Sequence, residues 1–228
     1  MIAVALIVAA GKGSRLQHSL PKAYVKVLAD ITVLELTIEN FARSVCIDAV
    51  KVVIAEDHIG LYEIVAEKMR AKGYSSKLLP YVLGGESRQD SVRLGLKSLE
   101  ILAPRKVLIH DAARPFVANK IIIDILYLLD THVVVDVGLP VVDVVRCTDN
   151  MSFVLERGKL YHVQTPQGFE YETILDLHKK FRDVEFYDDV GLCIYAGLSP
   201  VVVKGSKENI KITHPEDLHY ARWILNIK

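Results

Sequence analysis

The sequence predicts an α/β fold in which a mostly parallel, twisted sheet carries helices on both faces. Short, nearly unbroken runs of Val, Ile and Leu alternate with segments of helical periodicity, and such runs are typical of strands buried on both faces of a sheet. The length of 228 residues and the composition, 51% hydrophobic and 25% charged, fit a globular domain. Because no linker, repeat or low-complexity segment divides the chain, we expect one domain over residues 1–228.

The first half of the chain follows this alternation closely. The predicted strands cover residues 3–9, 50–55, 77–83 and 106–110, and the predicted helices cover 33–45, 59–73 and 91–102. Gly73 is the predicted C-terminal cap of the second helix, since glycine adopts the left-handed conformation that ends many helices. A further apolar segment at 121–129 follows the fourth strand.

The second half departs from the alternation with an extended, two-stranded element. Residues 133–147 and 153–163 flank a turn-like sequence at 148–150. Polar and apolar residues alternate from Asp143 to Arg157, so one face of this hairpin would be exposed, and an isolated hairpin is marginally stable in water. We therefore expect a dimerisation β-arm at about 138–160 that packs on another subunit. Helices near 170–181 and 188–196, a strand at 200–205 and a helix after Pro215 complete the prediction.

The composition excludes several classes of protein. The 28 basic and 28 acidic side chains give a formal net charge of zero, so no excess of positive charge is available for nucleic acid. The apolar run near the start is too short for a membrane span and has no basic residue before it, as a signal peptide would. The three cysteines form no CxxC pair, and the eight histidines lack the spacing of metal ligands. These features favour a reducing cytoplasm and no membrane partner.

The loop after the first strand is the first candidate binding site, because ligands of open parallel sheets bind at the carboxyl ends of strands. Gly11 and Gly13 lack Cβ atoms and would let backbone N–H groups approach phosphate oxygens, while Arg15 and Lys22 add positive charge. The loop does not match the P-loop, and Leu16 replaces the third glycine of the dinucleotide fingerprint. A surface turn with solvated cations is the alternative.

Two further strand-end loops contain candidate groups. Residues 84–91 join two glycines to hydroxyl and charged groups at a predicted helix start, where anions bind favourably. The alternative is capping alone, by Ser87 or Asp90. The fourth strand ends at Asp111, whose oxygens suit a hard divalent cation, unless it merely pairs with Arg114.

Two other ionisable side chains lie on or near the predicted strands. His110 precedes Asp111 and is expected to be structural rather than catalytic. Lys211 lies on a β-like run between Ile210 and Ile212, which would point to the opposite face. Lys211 could therefore reach inward, and an exposed strand lysine is the alternative.

Taken together, these segments resemble the 2-C-methyl-D-erythritol 4-phosphate cytidylyltransferase family of the non-mevalonate isoprenoid pathway. The resemblance rests on motifs that follow the family's order: AAGKGSR with Pro21 and Lys22, GGESRQDSV, HDAARPF, PVVDVVR, QTPQGF and NIKITHPEDL. These motifs span nearly the whole chain. The resemblance implies a three-layer, Rossmann-like nucleotidyltransferase fold with a protruding β-hairpin arm.

The resemblance also implies a reaction and a set of site residues. In the family, a sugar-alcohol phosphate attacks the α-phosphorus of CTP and expels pyrophosphate, with Mg²⁺ or another divalent cation bridging the CTP phosphates. By this resemblance Arg15, Lys22 and Lys211 are the catalytic cations. The nucleotide would be held by Ala10, Gly11, Gly13, Gly85, Glu86, Ser91 and Asp111, and Asp111 is the candidate near the metal. The second substrate would be contacted by Asp111, Arg114, Asp143 and Arg157, the last across a homodimer interface.

Several positions depart from the family's pattern and leave alternatives open. Val144 stands where the family generally has Thr, Arg146 replaces Lys, and Tyr187 replaces a small hydroxyl residue. A related enzyme that uses ribitol 5-phosphate or another polyol phosphate is one alternative. A glycosyltransferase with Asp188 and Asp189 as metal ligands is a second, and a non-catalytic CTP-binding module is a third.

Overall fold

The computed structural model describes residues 2–11, 16, 20–148 and 155–227. The strands are β1 (Ala3–Val8), β2 (Lys26–Leu28), β3 (Ile31–Thr32), β4 (Ala49–Ile54), β5 (Val82–Leu83), β6 (Lys106–Asp111), β7 (Val134–Pro140), β8 (Tyr161–Glu170) and β9 (Val201–Lys204). The helices are α1 (Val33–Arg43), α2 (Ile59–Ala71), α3 (Arg88–Lys97), α4 (Asn119–Leu128), α5 (Tyr171–Lys180), α6 (Asp189–Tyr195) and α7 (Pro215–Ile227).

The central sheet has seven strands in the order β5-β4-β1-β6-β8-β7-β9, and β2 and β3 form a separate ribbon. β1 pairs in parallel with β4 and β6, and β4 pairs in parallel with β5. β8 runs antiparallel to both of its neighbours, and β7 pairs in parallel with β9. The predicted α/β class with a mostly parallel sheet is therefore confirmed.

Alternating side chains of the strands build a core on each face of the sheet. In β1, Ala3, Ala5 and Ile7 pack in a cluster with α1, α2 and α4, while Val4 and Leu6 pack in a second cluster with α3, α5 and α6. This alternation follows from the two-residue period of a strand. Helices consequently cover both faces, as the apolar runs predict. α7 packs separately over β2 in a third cluster.

Two predicted strands differ from the observed backbone. The segment 77–83 pairs with β4 at Leu78, but only Val82–Leu83 is a regular strand. Pro80 explains the interruption, because proline has no N–H to donate to a ladder. The run around Lys211 is not a strand, since residues 209–213 have no regular structure. Gly73, with φ +89°, ends α2 as predicted.

The predicted arm is only partly a pair of strands. β7 and β8 pair antiparallel as expected, but β7 ends at Pro140 and β8 begins at Tyr161, so the predicted strand bounds of 147 and 153 are wrong. Pro140 cannot donate a ladder hydrogen bond, and a 3₁₀ turn follows at Arg157–Lys159. The tip, residues 149–154, lies outside the described residues.

The side chain of Asp136 is a buried carboxylate in the middle of β7. It is 1% exposed and accepts hydrogen bonds from Val137 N–H, Gln167 Nε2 and Tyr161 Oη at 2.8, 3.0 and 3.1 Å. Burial raises the pKa of Asp136 above its ordinary value despite these donors. The ionised carboxylate therefore destabilises the folded state relative to the unfolded state.

Replacing Asp136 by Asn is expected to raise the melting temperature at pH 7. Because the folded-state pKa of Asp136 is raised, its carboxylate does not destabilise the folded state below the unfolded pKa of about 3.9. The destabilisation grows as pH rises through the folded pKa. Asn keeps the shape without the charge, so the advantage should vanish at low pH. Melting curves of both proteins from pH 3 to 7 test this. A variant less stable at pH 7 would contradict it.

Candidate active site

A cavity of about 660 Å³ opens at the carboxyl ends of β1, β4, β5 and β6. These four strands are parallel neighbours, so the loops that follow them meet at one edge of the sheet. The lining residues are Val8, Ala9, Ala10, Gly11, Lys22, Ala23, Ala55, Gly85, Glu86, Ser87, Arg88, Ser91, Asp111, Ala112, Ala113 and Lys211. The edge of the sheet that was expected to bind a ligand therefore forms a cavity. Among the described residues, three with cationic side chains line it.

Small residues allow the loops after β1 and β5 to approach each other closely. A Cβ on Gly84 would lie 2.6 Å from both the Ala10 Cβ and the Ser91 Oγ. Gly85 N–H donates to Ser91 Oγ at 3.2 Å, and Ser91 Oγ donates to the Ser87 carbonyl at 2.9 Å. The two glycines therefore allow the backbones of these loops to come close together, and the contact forms one wall of the cavity.

α3 begins at this wall. Ser87 is its N-cap and accepts a hydrogen bond from Asp90 N–H at 3.0 Å, as one of the two predicted capping alternatives requires. Because Ser87 also lines the cavity, the positive end of the α3 dipole lies beside the space. Capping and anion binding are therefore compatible at this loop.

Asp111, at the end of β6, is the centre of a cluster of cations. Its Oδ2 lies 2.7 Å from Lys211 Nζ and 3.9 Å from Arg114 Nε, and its Oδ1 lies 3.3 Å from Arg88 Nε. Its backbone N–H donates to Thr165 Oγ1 at 3.0 Å. Lys211 therefore reaches inward, although not from a strand, and Asp111 pairs with more than the expected Arg114.

The charges of this cluster fix its protonation states. Burial alone would raise the pKa of Asp111, but Arg88, Lys211 and Arg114 outweigh it and hold the pKa far below its usual range. Burial lowers the pKa of His110 to about 4, and its ring bonds the Arg114 carbonyl at 2.9 Å. His110 is consequently neutral and supports the loop, in line with the structural role expected for it.

The donor set of the cavity suits a divalent cation only in part. The lining carboxylates are Asp111 and Glu86, and the described residues hold no group of three His, Cys, Asp or Glu side chains placed for a metal. Both oxygens of Asp111 already face cations. The described side chains therefore fit a metal ion that a bound ligand coordinates, with one carboxylate nearby.

Asp188 and Asp189 do not form a metal-binding pair. Asp188 is the N-cap of α6 and accepts from Gly191 N–H at 2.8 Å. Asp189 is 2% exposed and lies 2.9 Å from Arg88 Nη1 and 3.0 Å from His178 Nε2. Both carboxylates are engaged within the fold, which removes the feature behind the glycosyltransferase alternative.

The cavity contains many, but not all, of the residues singled out in the sequence. Among them Ala10, Gly11, Lys22, Gly85, Glu86, Ser91, Asp111 and Lys211 line it, and Arg114 contacts it through Asp111. Asp143 and Arg157 do not line it, and both are exposed, with Arg157 Nη1 donating to the Val142 carbonyl at 2.9 Å. Gly13 and Arg15 lie outside the described residues.

Two residues of the site were missed in the sequence. Arg88 lines the cavity and bridges Asp111 and Asp189, and Thr165 supports the Asp111 backbone. Arg88 lies within the motif GGESRQDSV, so the sequence held an available clue. Its two acidic partners, Asp111 and Asp189, are distant in the chain, so no local sequence pattern indicates these ion pairs.

The chain is similar to known proteins over nearly its whole length. A protein-family model described as "IspD: 2-C-methyl-D-erythritol 4-phosphate cytidylyltransferase" matches residues 3–227. The chain is 37% identical over 227 residues to the 2-C-methyl-D-erythritol 4-phosphate cytidylyltransferase of Clostridioides difficile (strain 630), covering 98% of this chain and 93% of the relative. No helix in the described part of the chain is long and apolar enough to cross a membrane.

Longer relatives and solved structures extend the comparison. The chain is 38% identical over 226 residues to a bifunctional enzyme IspD/IspF of Wolbachia pipientis wMel, covering 96% of this chain but 54% of the relative. It thus spans about half the length of that relative. The 4-diphosphocytidyl-2C-methyl-D-erythritol synthase structure from Anaerococcus prevotii DSM 20548 superimposes with a TM-score of 0.85 at 28% identity, covering 99% of this chain and 96% of that one.

Proposed function

Because the chain belongs to the 2-C-methyl-D-erythritol 4-phosphate cytidylyltransferase family, we propose that it joins CTP and 2-C-methyl-D-erythritol 4-phosphate and releases pyrophosphate. The product is 4-diphosphocytidyl-2-C-methyl-D-erythritol, an intermediate of isoprenoid biosynthesis. The observation that supports this most directly is the cavity at the sheet edge, where Lys22, Arg88 and Lys211 surround a space lined by small residues.

The proposed step is an in-line displacement at phosphorus. An oxygen of the acceptor phosphate attacks the α-phosphorus of CTP, the bond to the oxygen bridging the α- and β-phosphorus breaks, and pyrophosphate leaves with the electron pair. Such a transfer requires positioning and charge stabilisation rather than a protein nucleophile. Lys22 and Lys211 would stabilise the charge at the reacting phosphate, together with Arg15.

The nucleotide is proposed to lie against the wall formed by the loops after β1 and β5. Ala10, Gly11, Gly85, Glu86 and Ser91 line this part of the cavity and would hold the cytosine and ribose, with Gly13 as a further contact. The close contact of Gly84 with Ala10 limits the room there. A small pyrimidine base fits such a wall better than a purine does.

Mg²⁺ is proposed as the metal cofactor. When bound to the CTP phosphates it neutralises part of their charge. Asp111 is the cavity carboxylate nearest the cation cluster, and its Oδ2 contacts Lys211 at 2.7 Å. Asp111 would therefore both orient Lys211 and help to hold the metal that CTP brings.

The second substrate is proposed to bind at a composite site between two copies of the chain. Arg114 lies beside Asp111, whereas Asp143 and Arg157 are exposed on the arm segments away from the cavity of their own chain. Val142 and Val144, 65% and 72% exposed, give the same segments an apolar surface. An arm that docks on a partner would cover these valines and bring an arginine fork to the acceptor phosphate. A homodimer is therefore proposed.

The cytoplasm is the proposed compartment. The three cysteines, Cys46, Cys147 and Cys193, are all free thiols. Free thiols are typical of proteins from a reducing environment.

Pyrophosphate release by the purified protein tests the proposed function. CTP and Mg²⁺ with 2-C-methyl-D-erythritol 4-phosphate should give release, whereas ribitol 5-phosphate, UTP and ATP should give little. Release only with ribitol 5-phosphate would keep the mechanism and change the acceptor. CTP binding without release from any acceptor would favour the non-catalytic module instead.

Replacing Val144 by Thr is expected to lower the KM for 2-C-methyl-D-erythritol 4-phosphate by up to about tenfold. The reason is one restored hydrogen bond, worth roughly 0.5–1.5 kcal/mol, at a position that would face the acceptor in the dimer. The KM for CTP should stay unchanged. Steady-state kinetics with each substrate varied in turn check this. An equal effect on both KM values would place residue 144 away from the acceptor.

A further inference from the structure

The segment that carries Lys211 has no regular structure of its own. β9 ends at Lys204 and α7 begins at Pro215, and residues 209–213 between them are neither helix nor strand. Lys211 nevertheless reaches Asp111 at 2.7 Å. Contacts with other parts of the chain therefore hold the backbone of this segment. Without them, forming the ion pair would also cost the conformational entropy of an unfixed backbone.

The side chain of Gln164, on β8, supplies the first part of this support. It is 6% exposed, and its Nε2 donates to the Ser206 carbonyl at 2.9 Å while its Oε1 accepts from Ser206 N–H at 3.2 Å. A Cβ on Gly205 would lie 2.5 Å from the same Oε1. The beginning of the Lys211 segment is therefore held against one amide side chain.

The side chain of Asn209 supplies the second part, two residues before Lys211. It is fully buried, and its Nδ2 donates to the Thr165 carbonyl at 2.8 Å and to Gln164 Oε1 at 3.3 Å. The backbone carbonyl of Asn209 accepts from Arg114 Nη1 at 2.9 Å. On the other side of Lys211, Ile212 N–H donates to the Ala113 carbonyl at 2.8 Å.

Both partners of the Lys211–Asp111 ion pair are thus tied to neighbouring residues of β8, and Thr165 is common to both. Gln164 and the Thr165 carbonyl hold the Lys211 segment, while Thr165 Oγ1 accepts from Asp111 N–H. We propose that Gln164 and Asn209, which we call the amide clamp, are positioning residues that set Lys211 for the transfer reaction. This inference rests on the proposed function.

The amide clamp is expected to act on turnover rather than on substrate affinity. Gln164→Met keeps the length of the side chain but removes its hydrogen bonds, so the Lys211 segment can shift. A shift of about 1 Å in a charged group can cost up to about 10²-fold in rate. We expect kcat to fall about 10- to 100-fold, with the KM for CTP changed much less. Asn209→Ala should behave in the same way and replaces Gln164→Met if that variant does not fold.

A double-mutant cycle separates positioning of Lys211 from general loosening. If the clamp acts through Lys211, Gln164→Met should lower kcat strongly in the wild-type background and hardly at all in a Lys211→Ala background. Lys77→Met is the matched control, since Lys77 Nζ donates to the Ser44 carbonyl at 2.7 Å and neither residue lines the cavity. The control should leave kcat unchanged. Equal losses of kcat in both backgrounds would overturn the proposal.

A measurement without substrate keeps the proposal separate from the assigned reaction. Trace acetylation by acetic anhydride, followed by mass spectrometry, reports the reactivity of Lys211 against exposed Lys120 in the same molecule. Release of Lys211 from Asp111 should raise its relative labelling severalfold in Gln164→Met and Asn209→Ala. Unchanged labelling would overturn the proposal. A wild-type protein inactive with every acceptor would refute the proposed function, while the labelling would still report on the clamp.

Discussion

Replacing Lys22 by alanine is expected to lower kcat for pyrophosphate release by about 10²-fold or more, with the melting temperature nearly unchanged. Loss of one preorganised group that stabilises transition-state charge typically has an effect of this size. Lys22 lines the cavity, at the start of a 3₁₀ turn whose next residues, Ala23 and Tyr24, are buried. The turn therefore anchors the backbone of a lysine that lines the cavity.

Lys26→Ala is the matched control for this variant. Lys26 lies four residues further along the chain, but its side chain is exposed and pairs with Asp30 at 2.6 Å. An exposed pair of this kind contributes little, so turnover should stay near the wild-type value. Single-turnover measurements with saturating CTP would show whether Lys22→Ala affects the chemical step. Unchanged turnover in Lys22→Ala would mean that its assigned role is wrong.

The fold and the wall of the cavity could be predicted because local sequence determines them. Apolar runs identify strands, and the order of strands and helices brings the loops after β1, β5 and β6 to one edge. The glycines at 84–85 could be predicted to lie at this edge, but the contact that requires Gly84 is with Ala10, 74 residues away in the chain (84 − 10). The resemblance then assigned a chemistry to this edge.

The remainder of the site depends on contacts between distant parts of the chain. Arg88 was overlooked because its partners, Asp111 and Asp189, are 23 and 101 residues away (111 − 88 and 189 − 88). The position of Lys211 was expected to follow from a strand, whereas side-chain hydrogen bonds from β8 hold its segment. The alternation of polar and apolar residues also predicted arm strands that are too long. This pattern alone does not show that the first strand ends at Pro140.

Replacing Asp111 by Asn is expected to destabilise the protein by about 3 kcal/mol at pH 7 and to lower turnover as well. Asn keeps the shape but leaves Arg88, Lys211 and Arg114 around a neutral side chain. Removing one partner of a buried ion pair costs about 3–5 kcal/mol, and the low end applies because Arg88 keeps its contact with Asp189. Denaturant unfolding measures this difference in free energy. Asp124→Asn, which removes an exposed partner of Lys120, should change it by less than about 0.5 kcal/mol.

The pH dependence of this difference identifies the carboxylate as its cause. The folded-state pKa of Asp111 is depressed, so its contribution is complete above the unfolded pKa of about 3.9 and declines as pH falls toward the folded pKa. The free energies of unfolding of wild type and Asp111→Asn should therefore begin to converge as pH falls below about 4, and the difference should keep shrinking as pH approaches the folded pKa. A difference that stayed the same from about pH 5 down to about pH 2 would point to packing rather than charge. Full stability with lost turnover would instead mean that Asp111 acts on the ligand and is not needed as the counter-ion of the three cations.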